Sequence, residues 1–170
     1  IGFDGTNYTA DVAIGVINRS NVKVHDCDFN KFADSPAQFI GSSYNYYREP
    51  STYCTGNKFY NNTVNNCSTN TSNFQGLWFA GQDGFEVYGC DFQNLKGGTS
   101  GDAISSNTNK RWYIHDNIIN RLPYQAGYWN FAVEIRWNYG ECKFYNNQVT
   151  GISDFCWNYS NGYDYSIDVY

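Results

Sequence analysis

Methionine is absent from this 170-residue chain, proline occurs only three times, and charged residues make up just 16% of it. The net charge is −5 and no basic run is present. That balance argues against nucleic acid and anionic membrane surfaces as partners. No apolar stretch approaches the roughly 18 residues of a membrane-spanning helix, so membrane insertion is not expected. No C-x-x-C pair occurs, which removes support for a zinc site, and no metal or cofactor is expected. Six cysteines in 170 residues are too sparse for a disulfide scaffold.

What the chain does have is aromatic residues, at 19%, of which 16 are Tyr. Together with Gly and Asn turns they favour strands over helices. At this length one domain spanning 1–170 is expected, with a core of real size. Six N-x-S/T sequons fall at Asn7, Asn18, Asn61, Asn66, Asn70 and Asn158. An Asn-rich chain generates sequons by chance. Together they fit a secreted product, extracellular or at a cell surface, with glycans at those residues. The chain begins at Ile1 with neither an initiator Met nor a signal peptide. A processed product, or a piece cut from a longer one, would begin so.

The strongest signal is repetition. Five windows align without a gap: "VHDCDFNKF" at 24–32, "FYNNTVNNC" at 59–67, "VYGCDFQNL" at 87–95, "IHDNIINRL" at 114–122 and "FYNNQVTGI" at 144–152. The first column is Val24, Phe59, Val87, Ile114 and Phe144. Five places on come Phe29, Val64, Phe92, Ile119 and Val149. Three further on come Phe32, Cys67, Leu95, Leu122 and Ile152. All fifteen are apolar. The windows start 35, 28, 27 and 30 residues apart. A constant inner register with unequal spacing describes a fixed rung joined by loops of variable length. No i, i+3, i+4, i+7 stripe accompanies it, so the rung is not helical. Short alternating segments, "AIGVI" at 13–17, "LWFA" at 77–80, "AVEIR" at 132–136 and "SIDVY" at 166–170, read as a further strand per repeat.

Two or three short strands per coil describe an all-β parallel β-helix, a solenoid of about six coils. The windows, with patterns such as "VYGCDF" and "VHDCDF", resemble the right-handed parallel β-helix repeat family. The resemblance covers nearly the whole chain and implies a fold. It does not imply one function, because that family holds pectin- and alginate-degrading enzymes, phage tailspikes, adhesins and envelope proteins.

The columns read as structure first. His25, Tyr60, Tyr88, His115 and Tyr145 are all rings and should stack along one edge of the rod. Asp26, Asn61, Gly89, Asp116 and Asn146 are types that tolerate left-handed backbone, as a tight corner requires. Cys27, Asn62, Cys90, Asn117 and Asn147 should form a coil-to-coil Asn ladder, with two small thiols filling places in it. Cys27 and Cys90 stand two coils apart, beyond disulfide reach, whereas Cys142–Cys156 and Cys54–Cys67 remain open as bridges.

Function is sought outside the rungs. Trp78, Glu134 and Arg136 are expected to face outward, with Asp168 stacked near Glu134 one coil on. A carboxylate pair beside an arginine could serve glycosidic chemistry, so Glu134, Arg136 and Asp168 are catalytic candidates. The residue series of the well-known β-helix polysaccharidases is nevertheless missing. Aromatic loops carrying Tyr124, Tyr128, Trp129, Trp157, Tyr159 and Tyr163 are expected to cluster on one edge as a contact surface for a sugar or a second subunit. Neither end shows a capping pattern, so either the chain is an excerpt of a longer solenoid or copies stack end to end. The leading expectation is a secreted structural fibre, sheath or envelope subunit that self-associates. A polysaccharide lyase or glycosidase, or a carbohydrate-binding adhesin, is the alternative.

Overall fold

A computed structural model describes residues 1–7, 9–41, 48–67, 74–95, 100–120, 129–152, 154–159 and 166–170. Strands are the only regular elements among them, and every pairing is parallel. The first sheet stacks β1 (Gly2–Asp4), β4 (Asp28–Asn30), β8 (Thr63–Asn65), β11 (Asp91–Gln93), β14 (Ile118–Asn120) and β17 (Gln148–Thr150). The second stacks β2 (Ile14–Ile17), β5 (Ala37–Ile40), β9 (Phe74–Ala80), β12 (Ser100–Asn107), β15 (Trp129–Arg136) and β18 (Asp154–Tyr159). The third stacks β3 (Lys23–His25), β7 (Lys58–Tyr60), β10 (Gln82–Tyr88), β13 (Arg111–His115), β16 (Glu141–Tyr145) and β19 (Ser166–Val169), with the short β6 (Cys54–Thr55) beside β10. The chain visits the sheets in rotation, so each turn lays one strand on each. This is a three-faced parallel β-helix, as the repeat predicts.

The apolar columns line its interior. Val24, Phe59, Val87, Ile114 and Phe144 are in register along the third sheet and buried. Phe29, Val64, Phe92 and Ile119 do the same along the first, with Val149 packed against them. Burial of each such side chain stabilises by about 1.5–3 kcal/mol, which is the main force holding coil on coil.

The corners follow from residue type. Asp26, Asn61, Gly89, Asp116 and Asn146 have φ of +52°, +52°, +62°, +54° and +53°. Each turns the chain from the third sheet to the first. The turn from the first sheet to the second uses Lys31, Asn66, Asn94 and Gly151, and that from the second to the third uses Asn18, Gly81, Thr108 and Trp137, all at positive φ. Asn reaches this region with little penalty because its short side chain bonds the local backbone.

The Asn ladder works differently from the expected side-chain stack. Asn117 accepts the Cys90 N–H on Oδ1 at 2.9 Å and donates from Nδ2 to the Val87 carbonyl at 3.1 Å. Asn147 repeats this on Asn117 N–H and the Ile114 carbonyl, at 2.9 Å each. Each Asn thus mends the backbone at the bend of the coil before it. Direct Asn-to-Asn bonding is seen once in this column, from Asn117 Nδ2 to Asn147 Oδ1 at 2.9 Å.

"SIDVY" belongs elsewhere than expected. Its strand β19 lies on the third sheet, with Val169 in register with Phe144. It is a sixth copy of the window opening, not of "AVEIR". The segments "AIGVI", "LWFA" and "AVEIR" do share the second sheet, in β2, β9 and β15.

Candidate functional site

The ring column is the most regular surface feature. His25, Tyr60, Tyr88, His115, Tyr145 and Tyr170 stack with successive centroids 4.7, 4.9, 5.2, 4.8 and 5.4 Å apart. The planes of successive rings lie within 15° of parallel. Stacking at the coil spacing hides the ring faces and leaves edges outward. Both histidines are tied at Nδ1 to the next residue, His25 to Asp26 and His115 to Asp116, at 2.7 Å. The His25 hydrogen bond holds the Asp26 carboxyl below its ordinary value. Tyr170 is the sixth ring, because "SIDVY" copies the window opening on the third sheet.

The outward side of the third sheet carries ion pairs between neighbouring coils. Lys58 Nζ meets Glu86 Oε2 at 2.8 Å, and Arg111 grips Asp83 with two bonds of 2.6 and 3.0 Å. Asp168 lies in this column, exposed and in register with Lys143. It is on a different sheet from Glu134, so the expected carboxylate pair is not assembled.

Glu134 sits in the column of the second sheet that runs Gln38, Trp78, Ser105, Glu134, Trp157. It does not face open solvent: its side chain is 2% exposed. Oε1 is held by Arg136, and Oε2 accepts from Ser105 Oγ at 3.0 Å. Both oxygens therefore have partners within the protein. Arg136 is itself mostly covered and in register with Asn107 and Tyr159. Aligning "AISSN" with "AVEIR" sets Ser105 beside Glu134, as the strand register does.

Of the aromatic contact residues, Tyr124, Tyr128 and Tyr163 lie outside the described residues. Trp129, Trp157 and Tyr159 are strand residues, not loop residues: Trp129 opens β15, and Trp157 and Tyr159 lie in β18. Trp157 is in register with Glu134, five residues along β15 from Trp129, which separates their positions by roughly 16 Å.

Four sequon asparagines, Asn7, Asn18, Asn61 and Asn66, have positive φ. Asn158 stands in β18 in register with Ile135, and Asn70 lies outside the described residues. Backbone geometry therefore accounts for the asparagine at four of the six sites. No disulfide joins any of the six cysteines, so neither open bridge is formed. Among the described residues no group of three His, Cys, Asp or Glu could hold a metal ion.

Three sheets of parallel strands wound in rotation define a β-solenoid. No family model, no curated protein and no solved structure matches the chain.

Proposed function

We propose that this chain is a structural element of a cell surface, a secreted fibre, sheath or envelope subunit that associates with copies of itself. One observation carries the reading. The coil-to-coil contacts are regular along all three sheets: each strand pairs in parallel with the next, and the rings of the third sheet stack face to face from coil to coil. A repeating stack of this kind suits a structural element. The sequons support passage through a secretory route, and the exposed Asn7, Asn18 and Asn61 leave room for glycans.

Sedimentation velocity across a wide concentration range, with negative-stain microscopy, tests the proposal. Concentration-dependent oligomers or filaments are expected. A single monomeric species at the highest concentration would overturn it.

A carbohydrate reading, enzymatic or adhesive, draws on the register column in which Trp78 and Trp157 stand on the strands either side of Ser105 and Glu134. Binding to a glycan panel that Trp157→Ala abolishes would favour it over the structural one.

A further inference from the structure

We propose that the ring column binds an uncharged, β-1,4-linked polysaccharide lying along the solenoid axis, one sugar per coil. This goes beyond self-association and needs no second copy, because one chain carries the whole track. From His25 through Tyr60, Tyr88 and His115 to Tyr145 the centroids advance by 4.7, 4.9, 5.2 and 4.8 Å. Successive planes differ by 9° or less. That advance is the strand spacing of a sheet. A β-1,4-linked chain of pyranoses is an extended ribbon whose rise per sugar is close to it, so sugar and coil stay in step over several residues. Chains linked α-1,4 coil and those linked β-1,3 curve, and both lose step.

Every outward column of the solenoid shares this spacing, and the chemistry of the rings sets theirs apart. Stacking locks each ring, so the tips are in place before a ligand arrives and little side-chain freedom is lost on binding. Tyr60, Tyr88 and Tyr145 are half-buried, and among the described residues no protein group bonds their hydroxyls. Each hydroxyl can both donate and accept. The histidines complete the track. An ionised carboxylate can only accept, so Nδ1 of His25 and His115 donates to Asp26 and Asp116 at 2.7 Å. The neutral ring then offers Nε2 at its tip as an acceptor for a sugar hydroxyl. On the corner side the exposed Asn61, Asp116 and Asn146 add amide and carboxylate groups within the same coils.

Charge selects a neutral polymer. On the coils from Tyr60 to Tyr145, Lys58 is paired with Glu86 at 2.8 Å and Lys143 with Glu141 at 3.0 Å. Those cations are engaged within the protein, and Asp116 adds an exposed anion. A polyuronate gains nothing from such a surface, whereas the hydroxyls of a neutral glycan meet donors and acceptors along it.

Isothermal titration calorimetry with cellohexaose tests the track, against cellobiose and against maltohexaose and laminarihexaose. The unmodified chain should bind cellohexaose about tenfold or more tighter than any of the other three, since only it spans the rings in step. Tyr60→Phe/Tyr88→Phe/Tyr145→Phe keeps every ring and removes the hydroxyls. With its fold confirmed by circular dichroism, it should bind about tenfold more weakly. If the triple variant fails to fold, Tyr88→Phe alone makes the same comparison with an expected loss of about threefold. The proposal is overturned if cellohexaose does not bind, if maltohexaose binds as well, or if the hydroxyl-free variant matches the parent. Loss on Trp157→Ala with the triple variant unchanged would put the sugar on the second sheet and overturn it too. A chain that binds while staying monomeric leaves this inference standing and removes the self-association reading.

Discussion

Asn62 of one coil holds the bend of the coil before it: its Oδ1 accepts the Cys27 N–H and its Nδ2 donates to the Val24 carbonyl, both at 3.0 Å. The Cys27 N–H and the Val24 carbonyl flank the left-handed Asp26. They are buried, and an unmet buried polar group costs about 1–3 kcal/mol. Asn62→Ala removes both bonds and leaves a small void. The expected loss is about 2–4 kcal/mol, a fall in Tm of about 5–12 °C, read by thermal or urea unfolding. An unchanged midpoint would mean that water replaces the amide.

The first-sheet corner was legible in the sequence because every window crosses it at the same offset. A second polar ladder was not. Asn57 accepts the Val22 N–H at 2.8 Å and donates to Gln82 Oε1 at 2.8 Å, and Asn109 accepts the Gln82 N–H at 2.8 Å. Asn109 also donates to Ser106 Oγ, which donates to Asn138. All of these side chains are buried. The ladder escapes a fixed-register alignment because its members stand at different offsets from the inward column: Asn57 precedes its inward Phe59 by two residues, whereas Gln82 precedes Val87 by five and Asn109 precedes Ile114 by five. The candidate site was less legible still. Alternation placed Glu134 on the outward side of its strand but could not show that Ser105 and Arg136 satisfy it, and it assigned Asp168 to the wrong sheet.

Gly89 tests the corner geometry. Its φ is +62°, and a Cβ there would come 2.5 Å from Asn61 Oδ1. Gly89→Ala should cost about 2 kcal/mol, part from left-handed backbone and part from that contact. Adding Asn61→Gly removes the second part. The double variant should then be more stable than the Gly89→Ala single, which chemical denaturation resolves as a non-additive cycle.

Tyr88 measures the ring column. It lies between Tyr60 at 4.9 Å and His115 at 5.2 Å. Aromatic pairs contribute about 0.5–1.5 kcal/mol each beyond area, so Tyr88→Ala should lose about 1–3 kcal/mol from stacking. Tyr88→Phe keeps both faces and should stay within about 0.5 kcal/mol of the parent. Equal losses in the two variants would assign the effect to the hydroxyl and remove the stack as its cause.

The buried thiols set an alkaline limit. Burial pushes the Cys90 thiol up to about 12 and Cys67 up to about 11, from an ordinary value of 9.0. Above pH 9 the unfolded chain gives up these protons while the folded chain keeps them. The unfolded state then binds fewer protons, so stability falls as pH rises from about 9 toward 12 and is unaffected by these groups below 9. Urea midpoints between pH 8 and 11 should decline, and less steeply in Cys67→Ala/Cys90→Ala than in the parent. At pH 8 Ellman's reagent should find both thiols only after denaturation, since a neutral buried thiol is a poor nucleophile.

Glu134 and Arg136 separate a structural pair from a poised catalytic one. The carboxylate is 2% exposed, bound by the guanidinium on one oxygen and by Ser105 on the other. Removing one member of a covered ion pair strands the other charge. Arg136→Met should therefore cost about 3–5 kcal/mol, and Glu134→Leu a similar amount. Replacing both at once leaves no stranded charge, so the double variant should be more stable than either single. That ordering, measured by urea unfolding, follows from a pair whose partners serve each other. A group held ready for a substrate predicts the reverse: Glu134→Leu would relieve strain and stabilise the fold, while any activity on acidic glycans disappeared.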